Sequence, residues 1–104
     1  MDIAHWRDRI DELDGQLVEL LNQRAEAALE IGRIKDTMDV PIYDPVREKQ
    51  VLDHIASLSN GPLSVDAVRR IFEGIINENR RLECDSSDVS KNESASAEVP
   101  PAES

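Results

Sequence analysis

Every seventh residue from Ile3 reads Ile3, Ile10, Leu17, Arg24 and Ile31, and every seventh from Trp6 reads Trp6, Leu13, Leu20, Ala27 and Ile34. Two seam positions kept apolar along this run predict one long helix from about Asp2 to about Asp36, with no proline to interrupt it. At ~1.5 Å per residue such a helix is roughly 50 Å long, whereas a compact chain of this size has a radius of gyration of only ~13 Å. The seam outruns anything one chain can fold over it. The pattern therefore predicts an intertwined, two-fold homodimer in which the long helices of two subunits pack together.

Met38 to Tyr43, with Pro41 inside it, reads as a connector. Asp44 followed by Pro45 is an N-cap acceptor and a residue suited to the first helical position, so a second helix starts there with Val51, Leu52, Ile55 and Leu58 as its apolar stripe. Ser59-Asn60-Gly61-Pro62 predicts its end, with glycine as the C-terminal signal and proline as the breaker. Ser64 then caps a third helix carrying Val68, Ile71, Phe72, Ile75 and Ile76, with Asn79 and Glu83 on its next turns. From Cys84 the chain turns to Ser, Asp, Glu, Ala and Pro without periodicity. The expected fold is all-α, a three-helix chain with one very long N-terminal helix, formed by residues 1–83 and followed by a disordered acidic tail at 84–104.

At 104 residues the chain is one domain, and with a single Trp, Tyr and Phe its core must be aliphatic. The formal charge of −10 repels nucleic acid and anionic membranes, so neither is expected as a partner. Neither a signal peptide nor a membrane span is visible, and a cytoplasmic protein is expected. The lone Cys84 has no internal disulfide partner, and neither His5 nor His54 has a companion at ligand or triad spacing. No metal and no cofactor are expected.

Arg24 contradicts its own seam. A guanidinium in an apolar interface must be paired or bind an anion, since an uncompensated buried charge costs ~3 to 5 kcal/mol. Arg7 and Lys35 lie on the flank just beyond the second seam position. Taken singly, such cations commonly set register or form interhelical salt bridges, Arg47 and Glu48 fit a solvated face, and Asn79 and Glu83 fit a fraying helix end. Gly32 is harder to dismiss, because an interior helix glycine costs about 1 kcal/mol relative to alanine. Close approach of another backbone or of a ligand is the usual reason. Arg7 is ~26 Å along the axis from Arg24, so the two meet at one small ligand only if different subunits supply them.

In combination, WRDRIDELDGQLVELLNQR, EIGRIK, YDPVREKQVL and IFEGIINENRRLE closely resemble the all-helical, AroQ-type chorismate mutases over residues 1 to about 83. The resemblance implies a homodimer of three-helix chains with two active sites built between subunits, and chorismate as the small-molecule substrate. It implies that Arg24 and Lys35 of one subunit, with Arg7 of the other, bind the two carboxylates of chorismate. Arg47 would reinforce that charge, and Glu48, helped by Asp44, would accept from the substrate hydroxyl. Lys35 and Glu83 would flank the ether oxygen as the catalytic pair, and Asn79 would lie near the ring carboxylate. Asn79 stands where the enteric pattern has serine, and Glu83 where it has glutamine; glutamate at the latter position is familiar elsewhere in the family.

Rearrangement of chorismate to prephenate occurs within one molecule, so it calls for conformational clamping and charge stabilisation rather than a nucleophile. Two rivals remain. An isochorismate-pyruvate lyase of the same fold binds a similar dianion, but its pattern lacks acids matching Asp44 and Glu48. A non-catalytic dimerisation module leaves the joint occurrence of Arg24, Lys35, Arg47 and Glu83 without a reason. The length leaves no room for a fused second enzyme, and a stand-alone mutase of phenylalanine and tyrosine biosynthesis is expected.

Overall fold

The computed structural model describes residues 2–91, which form three helices: α1 (Ile3–Met38), α2 (Pro45–Leu58) and α3 (Val65–Lys91). Asp2 caps α1 by accepting a hydrogen bond from the His5 amide at 2.9 Å. The helix runs two residues past the expected Asp36. It closes on Asp39, which adopts the left-handed conformation (φ 59°) while the Asp39 and Val40 amides donate to the carbonyls of Asp36 and Lys35. Aspartate tolerates that conformation better than most residues, so the C-terminus needs no glycine, and pattern alone left it unmarked.

Asp44 caps α2, accepting from the Arg47 amide at 3.1 Å, and Pro45 opens the helix as expected. Its end departs from the sequence reading. The cap is Ser59 in an extended conformation, and no glycine among the described residues has positive φ, so Gly61 is not the left-handed stop. The Ser59 hydroxyl instead donates to the Leu63 carbonyl at 3.2 Å and spans the turn. Ser64 accepts from the Ala67 amide at 3.0 Å and starts α3.

α3 also continues to Lys91, past the boundary expected at Cys84. The change of composition there brings neither proline nor glycine before Lys91, so nothing breaks the backbone ladder. The expected disorder of the remaining tail lies outside the described residues.

α3 is the central element. It packs against both α1 and α2, which do not pack on each other. Ala28 and Gly32 are the buried residues of α1, and their small size lets α3 approach closely; Ile55 is the buried residue of α2. Asp53 joins α2 to α3 through Arg69 at 3.1 Å while also meeting Lys49 at 2.8 Å. Those hydrogen bonds, to Lys49 first and Arg69 second, hold the exposed Asp53 carboxyl below its ordinary pKa.

The chain is a rod with a packed end. Its extents are 55 × 32 × 18 Å and its radius of gyration is 17.0 Å, well above the ~13 Å of a compact chain of this length. All of α1 before Arg24 is exposed, including Leu17 at 56% and Leu20 at 58%. Trp6, Ile10, Leu13, Leu17 and Leu20 are each about half exposed, and covering them would contribute roughly 4 to 8 kcal/mol, of the order of the whole stability of a small domain. Ala28 and Ile55 are the only buried hydrophobic side chains among the described residues, so one chain alone buries little. No helix among the described residues is long and apolar enough to cross a membrane.

Ser64→Ala removes the cap of the element on which the other two pack. The expected loss is ~1 kcal/mol, read from urea unfolding at fixed protein concentration. An unchanged unfolding curve would show that α3 starts without help from this hydroxyl.

Candidate active site

Helical spacing puts Arg24, Ala28, Ile31 and Lys35 on one stripe of α1, Asp44, Arg47, Glu48 and Val51 on the first turns of α2, and Ile76, Asn79, Arg80 and Glu83 on one stripe of α3. These stripes converge on a cavity of about 300 Å³, closed on one side by Ile42 of the connector. Arg24, Lys35, Asp44, Arg47, Glu48, Asn79 and Glu83, all singled out in the sequence, line this one cavity. Arg7 does not. It lies on the exposed end of α1 in a groove with Asp2, Ile3 and Trp6.

The two cations of α1 that line this cavity are held by neutral acceptors. Arg24 donates through Nη1 to the Asn79 side-chain oxygen, and Lys35 donates through Nζ to the Ile42 carbonyl at 3.2 Å. A carbonyl dipole satisfies a donor but does not neutralise its charge, so both retain a positive charge facing the cavity. The Arg47 guanidinium, exposed at the rim, makes no hydrogen bond or ion pair among the described residues.

Arg80 is the wall residue that the sequence reading missed. It forms an ion pair with Glu48, donates through Nη2 to the Asn77 side-chain oxygen at 2.6 Å, and sits 4.7 Å from the centroid of the Tyr43 ring. A signal was present: Arg80 follows Ile76 by four residues and precedes Glu83 by three, so it shares their stripe.

Glu83 lies between this cavity and a second one of about 280 Å³ lined by Gly32, Arg33, Thr37 and Ser86. Burial raises the Glu83 pKa, and the positive charges of Lys35, Arg24 and Arg80 only partly offset it. The reason for Gly32 is now visible. A Cβ there would lie 3.2 Å from Glu83 Cγ and 3.3 Å from its Cβ, so glycine makes room for this side chain rather than for a backbone or a ligand.

Arg24, Lys35, Arg47 and Arg80 share the cavity wall with the three carboxyl groups of Asp44, Glu48 and Glu83, so cations outnumber acids there whatever the protonation of Glu83. A chain with a net charge of −10 thus has a cavity of net positive charge, suited to a small dianion. Among the described residues no group of three or more His, Cys, Asp or Glu side chains is arranged to hold a metal ion.

The fold and the cavity define a three-helix domain built around a cationic pocket. Residues 6–84 match the family described as chorismate mutase type II, and the chain belongs to that family. It is 40% identical over 82 residues to the bifunctional chorismate mutase/prephenate dehydratase of Pseudomonas aeruginosa, a match covering 74% of this chain and 22% of that protein. It is 32% identical over 82 residues to the chorismate mutase of Methanocaldococcus jannaschii, covering 78% of this chain and 83% of that one. The chain thus spans about a fifth of the bifunctional relative and most of the shorter one. Among solved structures it is similar to chorismate mutase (form II) from Thermus thermophilus, with a TM-score of 0.76 and 30% identity over 78% of this chain and 92% of that one.

The raised Glu83 pKa has a thermodynamic consequence. The folded chain holds this proton more tightly than the unfolded chain, so the group's contribution to stability is complete below its ordinary value of 4.5 and is lost as pH rises through the raised value. Glu83→Gln removes the titration. Between pH ~4.5 and ~7 its unfolding free energy should therefore fall less, or rise more, than that of the wild type, as measured by urea unfolding across the range. Parallel profiles would mean that the carboxyl is not perturbed.

Proposed function

We propose that this chain is a chorismate mutase, converting chorismate to prephenate by clamping the dianion and stabilising charge on the breaking C–O bond. One observation carries the reading: Arg24 and Lys35 share a cavity wall, each held by a neutral acceptor that leaves its charge available. Arg24 and Arg47 bind substrate carboxylates, for which a planar guanidinium fork is better suited than a point charge. Asn79 orients Arg24. Glu48, beside Asp44, accepts from the substrate hydroxyl. Lys35 and protonated Glu83 donate to the ether oxygen, where negative charge develops.

Each such preorganised donor contributes roughly 3 to 4 kcal/mol, so two account for much of the barrier reduction that a modest enzyme requires, ~8 kcal/mol. The clamps supply the remainder by holding the chain of reacting atoms in its folded conformation. No nucleophile is needed.

The active form is a homodimer in which α1 of each chain lies along its partner. The exposed seam before Arg24 supports this, as does the placement of Arg7 far from the cavity its own chain builds. Arg7 of one subunit then completes the site of the other. The reaction belongs to cytoplasmic aromatic amino-acid biosynthesis.

The direct test follows the loss of chorismate absorbance with purified protein, and absence of turnover refutes the reading. Lys35→Ala and Arg24→Ala should lower kcat/KM by ~100-fold or more each while helix content is retained. Mixed after subunit exchange, inactive Arg7→Ala and Lys35→Ala chains should regain part of the activity, because one of the two sites in a mixed dimer is intact. No recovery after proven exchange excludes a shared site.

The Glu83 assignment fixes a pH dependence. If a protonated carboxyl donates to the ether oxygen, kcat/KM decreases as pH rises through the raised pKa, and Glu83→Gln, a permanent donor of similar shape, flattens the profile. A wild-type profile flat from pH ~5 to ~8 removes Glu83 from this role.

A further inference from the structure

We propose that Arg80 is a positioning residue that holds the Glu48 carboxylate in place as the acceptor for the hydroxyl group of the substrate. The proposal rests on the functional reading above and adds to it the residue through which Glu48 is aimed. Glu48 stands on the first turn of α2, next to Arg47 and across the cavity from Arg24 and Lys35. A carboxylate on a flexible stem in that position can turn to any of these cations. Each such contact would neutralise a charge needed by a dianionic ligand and withdraw the acceptor from the hydroxyl.

The contacts of Arg80 prevent this. Its fork is held on three sides: by Glu48, by the Asn77 oxygen at 2.6 Å and by the Tyr43 ring 4.7 Å away. A planar guanidinium lies flat on the aromatic face and donates in two fixed directions within its plane, whereas a lysine ammonium is a rotating point donor that does not fix the carboxylate's direction. The Arg80–Glu48 pair is also the least exposed ion pair among the described residues, with side-chain exposures of 29% and 26%. Solvent screens it less than the others, so it is the pair whose geometry counts. It joins α3 to the first turn of α2, with the connector's Tyr43 behind it. The charges of Arg24, Lys35 and Arg47, none of them neutralised by a carboxylate, remain for the ligand.

A merely structural tie between α2 and α3 would predict something different, and a double-mutant cycle separates the two. Kinetics are measured for Arg80→Met, Arg80→Lys, Glu48→Gln and Arg80→Met/Glu48→Gln, on chorismate and on its ether in which the hydroxyl is methylated. Arg80→Met should lower kcat/KM on chorismate about 10- to 100-fold, and Arg80→Lys should recover only part of this. In the Glu48→Gln background Arg80→Met should cost less than about threefold, and on the methyl ether its effect should be equally small. Full additivity, or the same loss on both substrates, overturns the proposal. Tyr43→Leu, which removes the backing ring but neither charge, should cause a smaller loss in the same direction and serves if Arg80→Met fails to fold.

A second measurement does not depend on turnover. The guanidinium protons of Arg80 should exchange slowly with water by NMR in the wild type and rapidly in Glu48→Gln. Fast exchange in an active wild type overturns the clamp alone. A clamp present in a wild type that leaves chorismate unchanged overturns the functional reading, and with it the role given to Glu48.

Discussion

A cation placed in an apolar seam has to be accounted for, and the rest of the structure follows from how Arg24 is accommodated. Its partner is the oxygen of Asn79, an amide that satisfies one donor and neutralises nothing. Lys35 is treated in the same way by the Ile42 carbonyl. Several other cations among the described residues are paired with carboxylates, as in Lys49 and Arg69 with Asp53 or Arg80 with Glu48. Positive charge without a carboxylate partner thus gathers around the cavity, on Arg24 and Lys35 of α1 and Arg47 of α2, in a chain whose net charge is strongly negative. That asymmetry favours a small anion in the cavity and repels polyanions from the rest of the surface.

The same stripe shows why α3 must be the central helix. Ala28 and Gly32 leave little side-chain bulk between α1 and α3, so Asn79 and Glu83 come close enough to share a wall with Arg24 and Lys35. α2 reaches the cavity through its first two turns, which Asp44 caps and Pro45 opens. Packing and chemistry therefore coincide at the C-terminal half of α1. The N-terminal half is left with a bare apolar seam and with Arg7. These are the features that a second copy of the chain would cover and use.

Much of this was legible in the sequence because it rests on periodicity. The three helices, the caps at Asp44 and Ser64 and the wall residues of α1 all follow from where apolar residues recur and where that recurrence fails. Helix ends that depend on backbone conformation alone were less visible: Asp39 takes a left-handed conformation usually marked by glycine, while Gly61 does not. Composition misplaced the end of α3, since Ser and Asp are poor helix formers without being breakers. Arg80 was missed for a different reason. Its role is defined by partners on two other elements, Glu48 and Tyr43, and no spacing along α3 reveals a contact made across the fold.

Glu83 brings the energetic terms into one position. A carboxyl near three cations would ordinarily be ionised at neutral pH, yet burial outweighs Lys35, Arg24 and Arg80 and moves its pKa upward. In the proposed reaction the arriving substrate carries two negative charges into the same cavity. Those charges disfavour the ionised form further and offset the cations that oppose protonation. Substrate binding and protonation of Glu83 are then thermodynamically linked, each strengthening the other. The neutral donor is most populated when an ether oxygen is present to receive its hydrogen bond. In the proposed role a glutamine would donate at every pH, with or without a ligand, whereas a glutamate would make the donor conditional on what occupies the cavity.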